Sequence, residues 1–276
     1  MSPAAAVRLL VGAVLTAAAA LAAVSGPTLG AWSASVAGPS WQAGTATFFT
    51  CADTVAPGLN DGANPLFALA FRSAAGPTDV SGNGRNGAYT APATVLAAKA
   101  PGCPRDPEGV WRLNGTGDCA ANTIAVGVLT PAAFSVEAWF RTSGTGASGT
   151  LVAFGATNRA LYVDNGGKAR GWIGGADTVV STARVDDGQW HLATLVFTPS
   201  TGTALYVDGV LAGSVSSMSS ATSLVSAGSW RVGCSATTPT WPSAGAQYLT
   251  GDLRFAAVYT SSLTKTQVEQ HYRAGV

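Results

Sequence analysis

The chain has 276 residues, with 15 Lys or Arg against 14 Asp or Glu, so its formal net charge is +1 at pH 7. Charged residues make up only 11% of the sequence, whereas glycine occurs 34 times. The balanced charge argues against binding of nucleic acid or anionic lipid, and low charge with abundant glycine is typical of a secreted all-β protein with many tight turns.

Residues 1–30 are predicted to be a signal peptide. Arg8 supplies the positive charge, and residues 9–24 form an apolar run that is shorter than the ~20 residues a membrane-spanning helix usually needs. Ala20-Leu21-Ala22 offers a cleavage site. We therefore expect a secreted or cell-surface protein, with an uncleaved N-terminal membrane anchor as the alternative.

Two short segments follow, TLGAWS at residues 28–33 and SWQAGT at residues 40–45. They are similar to the start of camelysin-like and biofilm-matrix proteins, in which a cleavage region of small residues precedes an aromatic-x-Ala-Gly segment. This resemblance implies a structural role at the surface or in a matrix. Residues 31–63 are rich in Gly and Pro and are predicted to form a linker with one short strand at residues 45–51.

The folded domain is predicted to span residues 64–276, starting with a strand at residues 66–72. Strong alternation follows at residues 134–141, where Phe134, Val136, Ala138 and Phe140 share one face. Further strands are predicted at residues 111–113, 119–126, 151–154, 159–164, 168–174, 190–198, 203–208, 230–234 and 248–259. Asn165-Gly166-Gly167 and Asp208-Gly209 are hairpin signals.

The chain is predicted to end in a helix. Thr264 is the N-cap and Gln267 completes a capping box. Leu263 and Val268 occupy the staple positions, and Tyr272 lies on the same face as Val268. Gly275 is expected to end the helix.

Three motifs carry a family resemblance. VDDGQWHLATLVFTPSTGTALYVDGVLAG at residues 185–213 resembles the "dgqWHhv…lYvDG" core of laminin G-like domains of the concanavalin A type. Residues 134–142 resemble their "fsveaWfrt" strand, and residues 78–89 their glycine-rich "DsSGNGrnGty" loop. The resemblance implies an all-β fold, a two-sheet antiparallel jelly-roll sandwich with a short C-terminal helix.

The four cysteines contain no C-x-x-C pair, and only two histidines are present, so no zinc cluster is expected. An even number of cysteines after an export signal predicts two disulfides, for which three connectivities are possible. The implied jelly roll brings early and late strands together. It therefore favours Cys119–Cys234, which leaves Cys51–Cys103.

Catalysis is not expected. Glucanases of this fold carry two or three carboxylates on one strand in an E-x-D-x-x-E pattern, and this chain has none. Glu137 is a lone strand carboxylate, for which we expect a structural pair with an arginine. No G-x-S-x-G motif accompanies His191, which is expected to be packed and hydrogen-bonded, while His271 is expected to be exposed on the helix. A glycoside hydrolase or lyase relative is the alternative.

No cofactor is expected, although the resemblance implies a possible calcium site near Asp79 and Asn83. Calcium takes six to eight oxygen ligands, and many relatives supply a carboxylate from the closing strand. This chain has Gly251-Asp252-Leu253-Arg254 there, with Arg254 at the position where the carboxylate is expected.

Sugar binding is the function that the fold favours, through aromatic faces joined by a few polar groups. Trp241, in the loop of residues 235–247, and Trp172, beside Gly171, are the candidate ligand-binding residues; core packing is the alternative for each. We predict an exported, non-catalytic module that binds a glycan or a surface protein. A structural surface or biofilm-matrix component is the alternative.

Overall fold

The computed structural model describes residues 48–63, 65–122, 133–142, 144, 147–155, 159–218 and 229–276. The chain divides into two units, Met1–Thr45 and Ala46–Val276, and every described residue belongs to the second. The predicted signal peptide and the camelysin-like segments lie outside the described residues. Among the helices that the structure describes, none is long and apolar enough to span a membrane.

The second unit consists mainly of β-strands. In chain order they are β1 (Pro65–Ala70), β2 (Thr78–Asp79), β3 (Gly87–Tyr89), β4 (Thr94–Leu96), β5 (Val110–Asn114), β6 (Ala120–Asn122), β7 (Phe134–Thr142), β8 (Gly149–Phe154), β9 (Arg159–Val163), β10 (Lys168–Trp172), β11 (Val179–Arg184), β12 (His191–Thr198), β13 (Gly202–Val207), β14 (Val210–Val215), β15 (Trp230–Val232) and β16 (Thr250–Tyr259). A 3₁₀ helix at Ala52–Thr54 precedes them, and helix α1 (Lys265–Ala274) follows.

The described strands form two antiparallel sheets. The nine-stranded sheet has the order β14-β13-β12-β7-β16-β1-β2, with β5 paired to β16 and β4 paired to β5. The seven-stranded sheet has the order β11-β10-β9-β8-β15-β6-β3. The predicted two-sheet antiparallel sandwich with a short C-terminal helix is therefore confirmed.

The core between the sheets follows from the alternation of strand β7. Phe134, Val136, Ala138 and Phe140 are all buried in the central cluster. Phe197 of β12 lies opposite Phe134 in the sheet register, with the two ring centroids 5.3 Å apart. Burying each such large apolar side chain contributes about 1.5–3 kcal/mol, so this central strand anchors the sandwich.

Residues 48–63 cover part of the outer face of the nine-stranded sheet. Cys51 and Val55 are buried in a cluster with Trp139 and Val268. The strand predicted at residues 45–51 is wrong for residues 48–51, which form bends and a turn before the 3₁₀ helix. The Asp106 carboxylate accepts hydrogen bonds from the backbone N–H of Cys51 at 2.7 Å and of the next residue at 3.1 Å, so these donors need no partner strand.

Helix α1 covers the same face and begins as predicted. The Thr264 hydroxyl accepts a hydrogen bond from the Gln267 N–H at 3.2 Å, and the Gln267 side chain accepts one from the Thr264 N–H at 2.7 Å. This confirms the capping box. Tyr272 stacks on Trp139, with centroids 5.7 Å apart, while the Gln267 amide donates to the Asp61 carboxylate at 3.1 Å.

Both predicted disulfides are present. Cys51–Cys103 ties the covering segment to the loop before β5, and Cys119–Cys234 joins the neighbouring strands β6 and β15 of the seven-stranded sheet at one end. Cys119 and Cys234 are 115 residues apart in the sequence, so their bridge closes a long loop. In the chain-entropy model, a loop of this length stabilises the folded state by about 4–5 kcal/mol.

Candidate ligand-binding site

The two predicted ligand-binding tryptophans come together on the outer face of the seven-stranded sheet. The ring centroids of Trp172 and Trp241 are 5.9 Å apart, and Tyr162 lies 5.6 Å from Trp241. The loop of residues 235–247 folds back onto the sheet, where the Tyr162 hydroxyl donates to the Pro242 carbonyl at 2.6 Å.

Trp241 is only 3% exposed and Trp172 only 8% exposed. Both indoles are therefore packed, as in the core-packing alternative. The physical reason is that Ala153 and Ala160 are small, which leaves apolar space on the sheet into which the large rings pack. Ligand binding by these tryptophans stays a prediction, and it would require the loop to open.

The loop that contains Asp79 is held by its own side chains. The Asp79 carboxylate accepts hydrogen bonds from the N–H groups of Ala68, Ser81 and Arg85, at 3.0, 3.0 and 2.8 Å. The Asn83 amide donates to the Pro65 carbonyl at 2.8 Å. Because N–H groups already satisfy the carboxylate, a calcium ion here would have to displace them, and the calcium site stays a prediction.

Arg254 is buried at the position where relatives were expected to supply a carboxylate. Its guanidinium donates to the backbone carbonyls of Cys103 at 3.2 Å and Pro107 at 3.0 Å, and also to those of Asp106 and Gly109. A fixed positive charge thus lies among carbonyl oxygens. Burial lowers the pKa of Arg254, an effect that the nearby Asp106 carboxylate partly offsets.

Glu137 and His271 form a buried network that the sequence did not predict. The His271 Nδ1 lies 3.1 Å from the Glu137 carboxylate, which also accepts a hydrogen bond from the Tyr259 hydroxyl. The His271 Nε2 faces the Asp61 carboxylate at 3.6 Å. Glu137 was expected to pair with an arginine and His271 was expected to be exposed, and both expectations are wrong. Helix α1 packs on the outer face of β7, so that His271 contacts Glu137 and is buried there.

Burial alone would lower the pKa of His271. The carboxylates of Glu137 and Asp61 more than reverse this effect, and they raise the pKa to about 9. His271 therefore carries a positive charge at neutral pH, between two carboxylates.

An open cleft lies on the nine-stranded sheet, in the part that helix α1 does not cover. It has a volume of about 290 Å³ and is lined by Arg112, Leu113, Arg141, Thr142, Gly188 and Asp252, among others. Asp252 lies opposite Arg112 on one neighbouring strand and opposite Arg141 on the other. The three side chains therefore form one row across β5, β16 and β7.

The row is a fixed electrostatic arrangement. The buried Asp252 carboxylate accepts hydrogen bonds from the Nε of Arg112 at 3.0 Å and from the Nε of Arg141 at 3.1 Å. The arginine side chains are 53% and 36% exposed. Trp190 is partly buried beside them, with the Arg141 guanidinium 5.5 Å from its ring centroid. We call these four residues and the cleft the Arg–Trp cleft.

The turn before β12 holds Trp190 in place. His191 Nδ1 lies 2.8 Å from the Asp208 carboxylate, and His191 Nε2 lies 3.1 Å from the Asp187 carboxylate. Asp208 also accepts the Leu192 N–H at 3.0 Å. His191 is therefore packed and hydrogen-bonded, as predicted. Burial lowers its pKa, but the two carboxylates, Asp208 above all, raise it by more.

The Arg–Trp cleft was not predictable from local sequence patterns, because Arg112 and Asp252 are 140 residues apart. The available signal was the pair of arginines at positions 112 and 141, each on a predicted strand that is rich in large apolar side chains. The arrangement suits a ligand with polar groups and apolar C–H surface, because it combines guanidinium donors with an indole edge.

Comparison with known proteins agrees with this fold. The model of the concanavalin A-like lectin/glucanases superfamily matches residues 114–269. It does not reach residues 28–45, and none of the comparisons supports their camelysin-like resemblance. No curated protein matches the chain.

Three solved structures illustrate the likeness. The binding domain of Paraclostridial Mosquitocidal Protein 1 has a TM-score of 0.56 at 13% identity, over 76% of this chain and 52% of that one. Domain 4 of AbnA, an extracellular arabinanase from Geobacillus stearothermophilus in complex with arabinotriose, has a TM-score of 0.54 at 18% identity, over 76% and 98%. Trypanosoma rangeli sialidase has a TM-score of 0.53 at 13% identity, over 77% and 34%.

At these identities the solved structures show the fold alone, and this chain spans about half the length of the first of them. The family model, in contrast, matches more than half of the chain. The chain belongs to the concanavalin A-like lectin/glucanases superfamily.

Proposed function

We propose that this chain is an exported, non-catalytic module that binds a carbohydrate in the Arg–Trp cleft. The observation that carries the proposal is the row of Arg112, Asp252 and Arg141 with a partly exposed Trp190 at its end. Polar donors fixed beside an aromatic surface can orient sugar hydroxyls while the indole contacts C–H groups.

Similar structures support a binding role. One is the binding domain of Paraclostridial Mosquitocidal Protein 1, another is the receptor-binding domain of botulinum neurotoxin type G, and a third is described in complex with arabinotriose. Two disulfides support export, because disulfides persist in oxidising compartments.

The carboxylates of the described residues support binding without turnover. Glycoside hydrolysis uses two carboxyl groups, about 5 Å or about 6.5–9.5 Å apart, on either side of the scissile bond. Among the described residues that line the cleft, Asp252 is the sole carboxylate, and both of its oxygens accept hydrogen bonds from arginines. Glu137 is buried under helix α1, where a glycan does not reach it.

The expected affinity is modest. Covering apolar surface of an indole gains about 25 cal/mol per Å². Losses of translational and conformational entropy on binding leave only a small surplus for a single open site. Retention on an immobilised polysaccharide is therefore a more suitable assay than detection of a tight complex.

The test is a panel of polysaccharides assayed for retention of the protein and for released reducing ends. Trp190→Ala should abolish retention, whereas Gln189→Ala, at the neighbouring exposed position, should preserve it. Melting temperatures of the two variants establish that both are folded.

Other outcomes would locate the function elsewhere. Retention that survives Trp190→Ala but is lost in Trp241→Phe would place the ligand on the seven-stranded sheet. Release of sugar that disappears in Glu137→Gln would show that the chain is an enzyme. Absence of retention on every glycan would favour the structural or matrix role.

A further inference from the structure

We infer that the ligand of the Arg–Trp cleft bears carboxylate groups, so that the module selects acidic polysaccharides over neutral ones. This inference rests on the proposed function and adds the class of glycan. It follows from the charges of the cleft, from the hydrogen-bond donors that remain free, and from the rigidity of the arginine row.

The charged groups that line the cleft do not cancel. Arg112 and Arg141 contribute two positive charges, and Asp252 contributes one negative charge. The Asp187 carboxylate, beside Gly188 of the lining, faces His191, which also contacts the Asp208 carboxylate. The lining itself therefore carries one net positive charge, on arginine side chains that are open to solvent.

The arginines keep donors for a ligand. Asp252 accepts from the Nε and Nη2 of Arg112 and from the Nε and Nη2 of Arg141. Neither Nη1 has an acceptor among the residues that the structure describes. Each guanidinium thus presents N–H groups on the edge that points away from Asp252.

The buried carboxylate fixes these donors before any ligand arrives. An arginine has a long side chain, and ordering it on binding costs free energy. Here Asp252 orders both side chains in the free protein. A planar guanidinium matches a carboxylate in geometry and can donate two parallel hydrogen bonds to it, and the two groups carry opposite charges, whereas a neutral hydroxyl offers neither property. A carboxylated sugar gains from both properties, whereas a neutral sugar gains from the ordering alone.

The experiment compares three immobilised polymers: polygalacturonate, the same polymer after chemical reduction of its carboxyl groups, and dextran sulfate. We expect retention on polygalacturonate, loss of retention after carboxyl reduction, and at least tenfold weaker retention at about 0.5 M salt than at about 0.05 M, because salt screens exposed charges. Arg112→Gln should weaken retention about tenfold.

Arg112→Gln is the primary variant because it leaves the Arg141–Asp252 pair intact, and its melting temperature reports whether it is folded. Lys265→Gln is the matched control, because it removes one positive charge from an exposed position on helix α1. Arg112→Lys separates charge from geometry. If retention depends on the planar geometry of the guanidinium, Arg112→Lys should be retained little better than Arg112→Gln.

Each other outcome overturns a defined part of the argument. Equal retention on the native and the carboxyl-reduced polymer, lost in Trp190→Ala, would refute the acidic class and keep the proposed function. Preference for dextran sulfate would refute the carboxylate. Equal weakening by Arg112→Gln and Lys265→Gln would show attraction by net charge alone. Retention only on a neutral glycan of the wider panel, lost in Trp190→Ala, would refute the inference and keep the proposed function. Absence of retention on every glycan of the panel would refute both.

Discussion

The buried network of Glu137, His271 and Asp61 should make the protein less stable as the pH rises through the alkaline range. The two carboxylates raise the pKa of His271 from 6.5 to about 9. In the unfolded chain the histidine loses its proton near pH 6.5, so between that value and about pH 9 the folded state holds one proton more.

The sign and size follow from proton linkage. A group whose pKa is raised on folding stabilises the folded state fully below the unfolded pKa, and this stabilisation is lost as the pH rises through the folded pKa. The free energy of unfolding should fall by about 1.4 kcal/mol per pH unit, or about 3 kcal/mol in total across this window. His271 is only 2% exposed, so solvent screening does not reduce this figure much.

The assay is denaturant unfolding at about pH 6, about pH 7.5 and about pH 9.5, with the disulfides intact and equal m-values at each pH. His271→Gln should remove most of the pH dependence. It should also cost about 3–5 kcal/mol at pH 6, because Glu137 keeps a buried charge without its partner. His191→Gln is the control, because it removes the other histidine whose pKa is raised by carboxylates and leaves His271 in place. Cysteines do not titrate here, because none is free.

The network is not responsible if the wild type and His271→Gln lose stability equally between pH 6 and pH 9.5. A wild-type stability that rises over this range would contradict even the sign. At the acid end, the hydrogen bond and charge of His271 lower the pKa of Asp61 despite its partial burial, so the contribution of Asp61 should be lost only as the pH falls below 3.8.

Two further predictions concern helix α1 and the core. Thr264→Ala should lower stability by about 1 kcal/mol through loss of the N-cap, measured as a lower melting temperature, whereas Thr264→Ser should retain it; an unchanged melting temperature in the alanine variant would argue against the cap. Gly171→Ala should cost about 1–3 kcal/mol, because its Cβ would overlap the Leu195 side chain in the core, while Gly117→Ala, with open space around it, should be close to neutral; equal unfolding midpoints for these two variants would contradict the packing.

The strands and the core were predictable because they depend on local pattern. Alternation identified the core face of β7, and Asn165-Gly166-Gly167 placed the hairpin between β9 and β10. The capping box located the start of helix α1. Each of these signals lies within a few residues of the structure that it determines.

The outer faces were not predictable in the same way, because period-two alternation does not say whether the second face meets water or another layer. Glu137 and Trp139 point outwards from β7, yet both are buried under helix α1 and residues 48–63. Burial of Trp241 depends on small alanines in distant strands. The arginine row depends on the register of three strands that are far apart in the sequence.

The two disulfides have a consequence for the response of the chain to a mechanical pull on its two ends. Their loops follow one another along the chain without overlapping, with separations of 52 and 115 residues. An extended chain spans about 3.5 Å per residue. When the chain ends are pulled, the residues inside each disulfide loop cannot extend, which removes about 180 Å for Cys51–Cys103 and about 400 Å for Cys119–Cys234 from the extended length. Even after the sandwich unfolds under tension, most of its contour stays locked. The oxidised domain should therefore lengthen little when it unfolds under tension, and reduction of the disulfides should lengthen the rupture distance in single-molecule pulling.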